Sequence, residues 1–373
     1  MQTSPLRYLV TGAAAGAAAA AVFVSQSGTV PPASESPSAR ATAELVGAVR
    51  KPVKPLRRAA RPRPPVAAAQ PNDPLWGDSW SLTKVRAPAA WRVTSGAAET
   101  IVAVLDTGVD SNHADLQGAF VDGWDAVNED ADPTDDHGHG TLVAGVITAR
   151  SNNGIGGAGA CPRCSLMAVK VIGANGAGTA ADIAEGIVWA TDHGARVLNM
   201  SFVLSGRDEG VAQALQYARS KGVLIVAAAG NAGSADATFP ATEPGVVSVT
   251  GTDPSDVRYE WASFGSWVTL AAPGCSKSTQ AGGGYADFCG TSSSAAFASG
   301  IAALARSADA QASVDQVIAA LSANAVRVGD FVSAGRVDAA ATTGVLSVKV
   351  SSSGPAAPAD SRPAHPEPRP DRL

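Results

Sequence analysis

Six short, continuously apolar runs pace this chain, and they limit its fold more than any other feature. They are Thr100–Leu105 (TIVAVL), Leu166–Ile172 (LMAVKVI), Val197–Met200, Val223–Ala228 (VLIVAA), Val246–Thr250 and Trp267–Ala271. Runs rich in β-branched residues without polar alternation suit strands buried on both faces, the condition of a parallel sheet covered by helices. Helix-like stretches fall between them: Gly140–Thr148, Ala180–His193, Gly210–Lys221 and Ser292–Ala308. This alternation, with Gly and Asp at the junctions, predicts an α/β fold with a doubly wound, mostly parallel sheet and helices on both faces. In such sheets reactive groups collect at the carboxyl ends of the strands.

The flanks read differently from this body. Residues 1–27 carry one early positive charge, Arg7, followed by an apolar Ala/Gly stretch from Tyr8 to Val24, the pattern of a secretory signal peptide. Membrane contact is expected only through this leader, should it stay uncleaved. Residues 28–71 are rich in Pro and Arg and lack apolar periodicity, as in a linker or short pro-segment. The body spans 72–343, and a Pro-rich tail, expected to be disordered, spans 344–373. Between Arg40 and Arg63 eight basic residues face one acid, a balance of +7 that leaves −12 for the rest of a chain whose net charge is −5. An acidic body argues against nucleic-acid binding. The four cysteines form two local pairs, Cys161/Cys164 and Cys275/Cys289. An even count in an exported chain points to disulfides; a four-cysteine zinc site is the rival, weakened by the wide spacing of the second pair.

Four stretches carry side chains able to do chemistry. VAVLDTGVD closes an apolar strand on Asp106. DDHGHGTLVAGVI places His139 at the start of a small-residue helix. VAAAGNAGS ends a buried strand near Asn231, and FCGTSSSAAFASGIAALA opens an Ala-rich helix at Ser292. Singly these are ordinary: an Asp at a strand end or a Ser before a helix is usually a cap. Together they supply an orienting acid, a base, an amide for developing negative charge and a hydroxyl nucleophile.

In this order the four stretches resemble the Asp, His, oxyanion-Asn and Ser blocks of the subtilisin-like serine proteases (subtilases). The resemblance covers nearly the whole body, from NDPLWGDSWSLTKVRAPAAW through LMAVKVIGANGAG, GIVWA and LNMSF to about Val337. It selects His139 over His137 through His-Gly-Thr, and Ser292 over Ser293 and Ser294 through Gly-Thr-Ser. It implies a secreted serine endopeptidase, extracellular or in the cell envelope, acting as a monomer on protein or peptide substrates without a catalytic cofactor. Gly176, Ala177 and Gly178, with Ser201, Phe202 and Val203, match the family's two substrate-strand segments, which bind extended peptide by strand addition. Val203 and Thr238 stand where the family usually has glycine, so the primary pocket should favour small P1 residues. Phe239-Pro240 matches a cis-proline turn. Asp73, Asp115 and Asn153, with the carbonyls of Ile155 and Gly157, match a structural calcium site of hard oxygen ligands.

There are departures. Leu142, Ser293 and Ala296 replace residues common in the family, and the segment before Asn72 is short for a folding prodomain. Two rivals remain. Gly176, Gly178 and Ala181 make a weak GxGxxA-like dinucleotide run, and a catalytically silent subtilase fold would act as a binding module.

Overall fold

The computed structural model describes residues 70–352; the expected leader, most of the linker and the end of the tail lie outside them. The strands are β1 (Ile101–Asp106), β2 (Trp124–Asp125), β3 (Ser165–Lys170), β4 (Val197–Met200), β5 (Leu224–Ala228), β6 (Val246–Thr252), β7 (Leu270–Pro273), β8 (Cys275–Thr279), β9 (Tyr285–Cys289) and β10 (Gly335–Arg336). The helices are α1 (Trp80–Lys84), α2 (Ala87–Ala90), α3 (His139–Thr148), α4 (Ala180–Asp192), α5 (Glu209–Ser220), α6 (Thr291–Ala308), α7 (Val314–Ala323) and α8 (Ala339–Ser352).

Eight strands form one sheet in the order β10-β7-β6-β5-β4-β1-β3-β2, and every pairing in it is parallel. The double burial read from the sequence is visible residue by residue. Val102 and Val104 of β1 enter the cluster that holds α3, α6, α7 and α8, while Ala103 and Leu105 enter the opposite cluster with α4 and α5. Both faces of the strand are therefore removed from water, which stabilises roughly in proportion to the apolar area covered. Helix α6 is buried from Thr291 to Arg306, which its run of Ala, Ser and Gly permits by letting neighbours approach closely.

The local signals that start the helices are also plain. Thr179 and Asp182 form a reciprocal capping box on α4, and Ser313 and Gln316 do the same on α7. Asp208 caps α5 by accepting from the Val211 N–H.

Three features depart from the sequence expectations. The antiparallel hairpin β8–β9 breaks the helix-strand alternation, pairing Cys275 with Cys289 across its register. Its strands are short and largely polar, so no apolar run announced them. The edge strands β2 and β10 have two residues each and left no pattern. Helix α8 runs to Ser352, past the boundary drawn at 343, so the first part of the expected tail, 344–352, is helical. Leu346 is buried in the core, which gives that extension an apolar anchor.

Both disulfides form as paired from the sequence, Cys161 with Cys164 and Cys275 with Cys289, and no free cysteine exists among the described residues. The zinc alternative falls. Cys161 and Cys164 are both fully buried and belong to the apolar core. Cys164 stands just before β3; its N–H donates to the Cys161 carbonyl at 3.1 Å, and its own carbonyl accepts the Thr148 hydroxyl at 3.1 Å. A Cβ on Gly96, which has φ 107°, would lie within 3 Å of both sulfurs, 2.5 Å from Cys161 and 2.9 Å from Cys164, so only glycine fits against the pair. The Phe239-Pro240 bond is cis.

Candidate active site

Sheet topology locates the site. From β1 the chain proceeds to β3 and β2 on one side, and from β4 it proceeds to β5, β6, β7 and β10 on the other. The direction reverses between neighbours β1 and β4, and a crevice opens beyond their carboxyl ends. Asp106 is the last residue of β1, Ser201 follows β4, and Asn231 lies just past β5.

Asp106 and His139 are both buried, and the His139 Nδ1 lies 2.7 Å from Asp106 Oδ1. The same carboxylate oxygen accepts the Thr107 N–H at 2.8 Å. An imidazole protonated at Nδ1 donates to that oxygen, which fixes the ring and leaves Nε2 as the acceptor. Phe288 meets the ring edge-on at 5.5 Å. Two glycines allow helix α3 to start this close to β1: a Cβ on Gly140 would lie 2.0 Å from the Gly108 carbonyl, and Gly138 has φ 104°.

Sequence reasoning missed the groups that hold this turn. Asp135 accepts the N–H groups of His137, Gly138 and Thr141 and the hydroxyls of Thr107 and Thr141. Lys170, 1% exposed, donates to Asp136 at 2.5 Å and to the carbonyls of Thr107 and Ile172. A buried ammonium needs such partners, and the lone Lys inside LMAVKVI was the signal that could have found it.

Ser292 is the second residue of α6, and its hydroxyl donates to the Ser201 carbonyl at 2.9 Å. Ser201 answers with a hydroxyl bond to the Ser292 carbonyl at 3.1 Å. Behind this pair, buried Asn199 donates to Ser201 Oγ and accepts from Ser299, each at 2.9 Å. Asn231 is oriented by its neighbour: its Oδ1 accepts both the N–H (2.9 Å) and the hydroxyl (3.0 Å) of Thr291. Thr291 Oγ1 in turn accepts the Gly230 N–H at 3.0 Å. With the amide oxygen held from one side, Nδ2 is presented on the other.

One cavity is lined by Ser201, Phe202, Val203, Asn231, Thr291 and Ser292. A Cβ built on Gly230 would lie 3.4 Å from Val203 Cγ1 and 3.6 Å from Thr238 Cγ2, so these two side chains flank one glycine. The Gly176-Ala177-Gly178 segment is a turn in which the Gly173 N–H donates to the Ala177 carbonyl. It lies beside the histidine turn, since a Cβ on Gly176 would sit 3.3 Å from His137 Nε2.

The two cysteine pairs stand differently toward this site. Cys275 and Cys289 close the β8–β9 hairpin just ahead of Ser292. Cys161 and Cys164 take no part in it. The Cys164 Sγ lies 3.9 Å from Ser307 Oγ, near the far end of α6, and the pair sits at the amino end of β3, at the opposite rim of the sheet from His139. As a fully buried disulfide the CxxC has neither the thiolates nor the exposure that redox or metal chemistry requires, so Cys161 and Cys164 are structural residues and not site residues.

The oxygen-rich residues also come together, away from Asp106, His139, Asn231 and Ser292. Asp73, 3% exposed, accepts the backbone N–H groups of Asn152, Asn153 and Gly154. Asp115, fully buried, accepts from Asn153 Nδ2 at 2.7 Å and the Gly157 N–H at 3.1 Å. Burial raises the Asp115 carboxyl above its usual range and the charge of Asp73 adds to this, against the lowering by Asn153 and Gly157. Tyr285, against Asp115, is pushed up to about 12, first by burial and then by that carboxylate. Two buried acids answered by amide donors and the Tyr285 hydroxyl, with no cationic side chain paired to either among the described residues, suit a hard cation. Among the described residues no group of three or more His, Cys, Asp or Glu gathers as a metal cluster, and Asn153 turns its amide nitrogen, not its oxygen, toward Asp115.

Comparison with known proteins gives a consistent result. The profile of the subtilase family matches residues 97–350. Thermitase of Thermoactinomyces vulgaris is 39% identical over 274 residues, covering 72% of this chain and 97% of thermitase. Subtilisin Savinase of Lederbergia lenta is 39% identical over 228 residues, 61% of this chain and 83% of that protein. Among solved structures, a protease from Pseudoalteromonas arctica PAMC 21717 superposes with a TM-score of 0.69 at 29% identity, covering 74% of this chain and all of that one. The dinucleotide reading of Gly176, Gly178 and Ala181 has no place in this match.

Proposed function

The chain belongs to the subtilase family of serine endopeptidases, and we propose that it cleaves peptide bonds through Asp106, His139, Ser292 and Asn231. The observation that carries this reading is the 2.7 Å contact between buried Asp106 and His139, set at the sheet rim where Ser292 and Asn231 line one cavity. In the reaction the Ser292 hydroxyl exchanges its bond to the Ser201 carbonyl for one to His139 Nε2. His139 takes the proton as Oγ attacks the substrate carbonyl carbon, then returns it to the leaving amine. Asp106 keeps the imidazole in the required tautomer and stabilises the imidazolium. Asn231 Nδ2 and the Ser292 backbone N–H receive the oxyanion.

The Ser201-Phe202-Val203 and Gly176-Ala177-Gly178 segments would flank an extended substrate by strand addition. Val203 and Thr238 narrow the primary pocket. A scan of peptide anilides is expected to show Ala or Val at P1 above Phe or Tyr; an aromatic optimum would refute the narrowing.

No cofactor is needed for this chemistry. Structural calcium would be held by Asp73, Asp115 and the Ile155 and Gly157 carbonyls, and by Asn153 once its amide is turned. Such an ion would neutralise two buried carboxylates and tie the loop after α3 to the start of the domain.

Export is supported by the leader pattern of residues 1–27 and by cysteines that are all paired among the described residues. No helix among those residues is long and apolar enough to cross a membrane. The organisation is a leader (1–27), a linker or short pro-segment (28–71) and one monomeric peptidase body beginning at 72. Replacing Ser292→Ala tests the assignment on casein: kcat should fall by about six orders of magnitude, the scale of subtilisin's own triad rather than one derived from this geometry. Undiminished turnover by the variant would remove Ser292 from the reaction.

A further inference from the structure

The opposite rim of the sheet carries a second concave feature, assembled from separate elements. Arg196 stands just before β4, Arg219 and Lys221 end α5 just before β5, and Arg306 lies in the last turns of α6. All four line one open pocket with the α6–α7 connection. Among the described residues the only acid lining it is Asp315, which pairs with Arg219 at 2.7 Å while remaining 80% exposed. Four cations against Asp315 in the lining and Asp309 beside Arg306 leave a net positive site on a body whose overall balance is acidic.

Arg306 is the residue that general packing does not explain. It is 4% exposed, yet its Nε is buried with no acceptor among the described residues. Arg219 Nη1 is also buried without an acceptor among these residues, but it packs against Gly245, outside the pocket lining. Burial pushes the Arg306 guanidinium down to about 10, the neighbouring charge of Arg196 adds to this, and Asp309 partly opposes it; at neutral pH it still carries its proton. Helix carbonyls at the ends of α5 and α6 favour cations nearby, and a long side chain can bury its stem. Neither supplies an acceptor for a buried guanidinium N–H, a deficiency that costs free energy until filled.

We infer that this pocket binds a dianionic oxyanion, a phosphate group, which accepts from the orphaned guanidinium donor of Arg306, with Arg196, Arg219 and Lys221 around it. Guanidinium groups match tetrahedral oxyanions through paired N–H donors, and a bound anion would neutralise the excess charge. The site lies at the amino ends of β4 and β5, whereas the catalytic groups lie at the carboxyl ends. Occupancy would therefore act on stability and leave turnover unaltered.

The test is thermal unfolding of the full-length chain titrated with inorganic phosphate at constant ionic strength, with sodium chloride as the balancing salt. A saturable rise in Tm is expected in the wild type and no saturable component in Arg306→Leu, which should keep full peptidase activity. Dimethyl phosphate, a monoanionic diester, should bind about tenfold or more weaker than phosphate, which separates a free dianion from the phosphodiester of a lipid or polymer. Should Arg306→Leu not fold, Arg196→Gln with Lys221→Gln is the substitute, and its midpoint should move up about tenfold. Equal phosphate responses in wild type and variant would overturn the site, and a diester that binds as well as phosphate would overturn the dianion.

Discussion

The two rims of the sheet treat buried charge differently. At the carboxyl rim the ionic groups are met by fixed partners: Asp106 Oδ1 by His139 and Thr107, Lys170 by Asp136 and two carbonyls, half-buried Asp135 by five donors, with Asp106 Oδ2 left buried without a donor among the described residues. At the amino rim Arg306 and Arg219 keep buried donors without acceptors. The first arrangement preorganises groups for charge that appears during a reaction, which is where electrostatic catalysis gains its effect. The second leaves a charge to be completed from outside. A parallel sheet makes this division natural, because chain ends and loops of one kind gather at each rim.

Substitutions can break that contrast in order of severity. Beyond Ser292→Ala, the largest effect is expected for Asp106→Asn, a loss in kcat of about four orders of magnitude with the fold intact, because the imidazole would adopt the wrong tautomer. Kinetics alongside circular dichroism would check it, and a loss below tenfold would show that the 2.7 Å contact is structural only. Asn231→Leu should lower kcat about 10²–10³-fold with little change in KM, the range known for subtilisin's oxyanion amide. A variant that instead raised KM alone would place Asn231 in ground-state binding. Thr291→Val should cost less, about tenfold in kcat, because it removes one of the two donors that orient Asn231 and leaves the backbone N–H. An effect equal to that of Asn231→Leu would mean the amide has no orientation of its own.

Smallest in catalytic terms is the calcium loop. Chelation should lower Tm by several degrees while kcat at 25 °C stays constant, since binding to the native state alone stabilises by mass action. A Tm indifferent to chelator and to added calcium would show that Asp73 and Asp115 are satisfied by the loop amides already seen.

Much of the fold was legible because the central strands are apolar on both faces, a pattern that few other structures produce. The chemical groups were legible because each sits at a strand or helix end with a short local signature. The β8–β9 hairpin was not, since segments such as CSKST carry neither period nor apolar content. Helix α7 did have a signal, the Ser313–Gln316 box, that the apolar pattern overshadowed. The cysteine count gave the pairing of Cys161 with Cys164 but not its place in the core, because spacing alone does not say what a CxxC packs against. The supports of the site were hidden for a related reason. Asp135, Lys170, Asn199 and Thr291 matter through contacts between distant segments, and sequence spacing does not encode which buried donor meets which acceptor. The basic pocket is the extreme case: its four cations come from three separate places in the chain and share no motif.

One measurement bears most directly on the convergence of these residues. Full-length protein is treated with a fluorophosphonate, digested and read by mass spectrometry, with His139→Ala treated in parallel. A single adduct on Ser292 in the wild type, nearly abolished in His139→Ala, is the predicted result, because only an activated hydroxyl reacts at a useful rate. A folded, unlabelled wild type, or equal labelling of both proteins, would contradict the shared proton path on which the proposed chemistry depends.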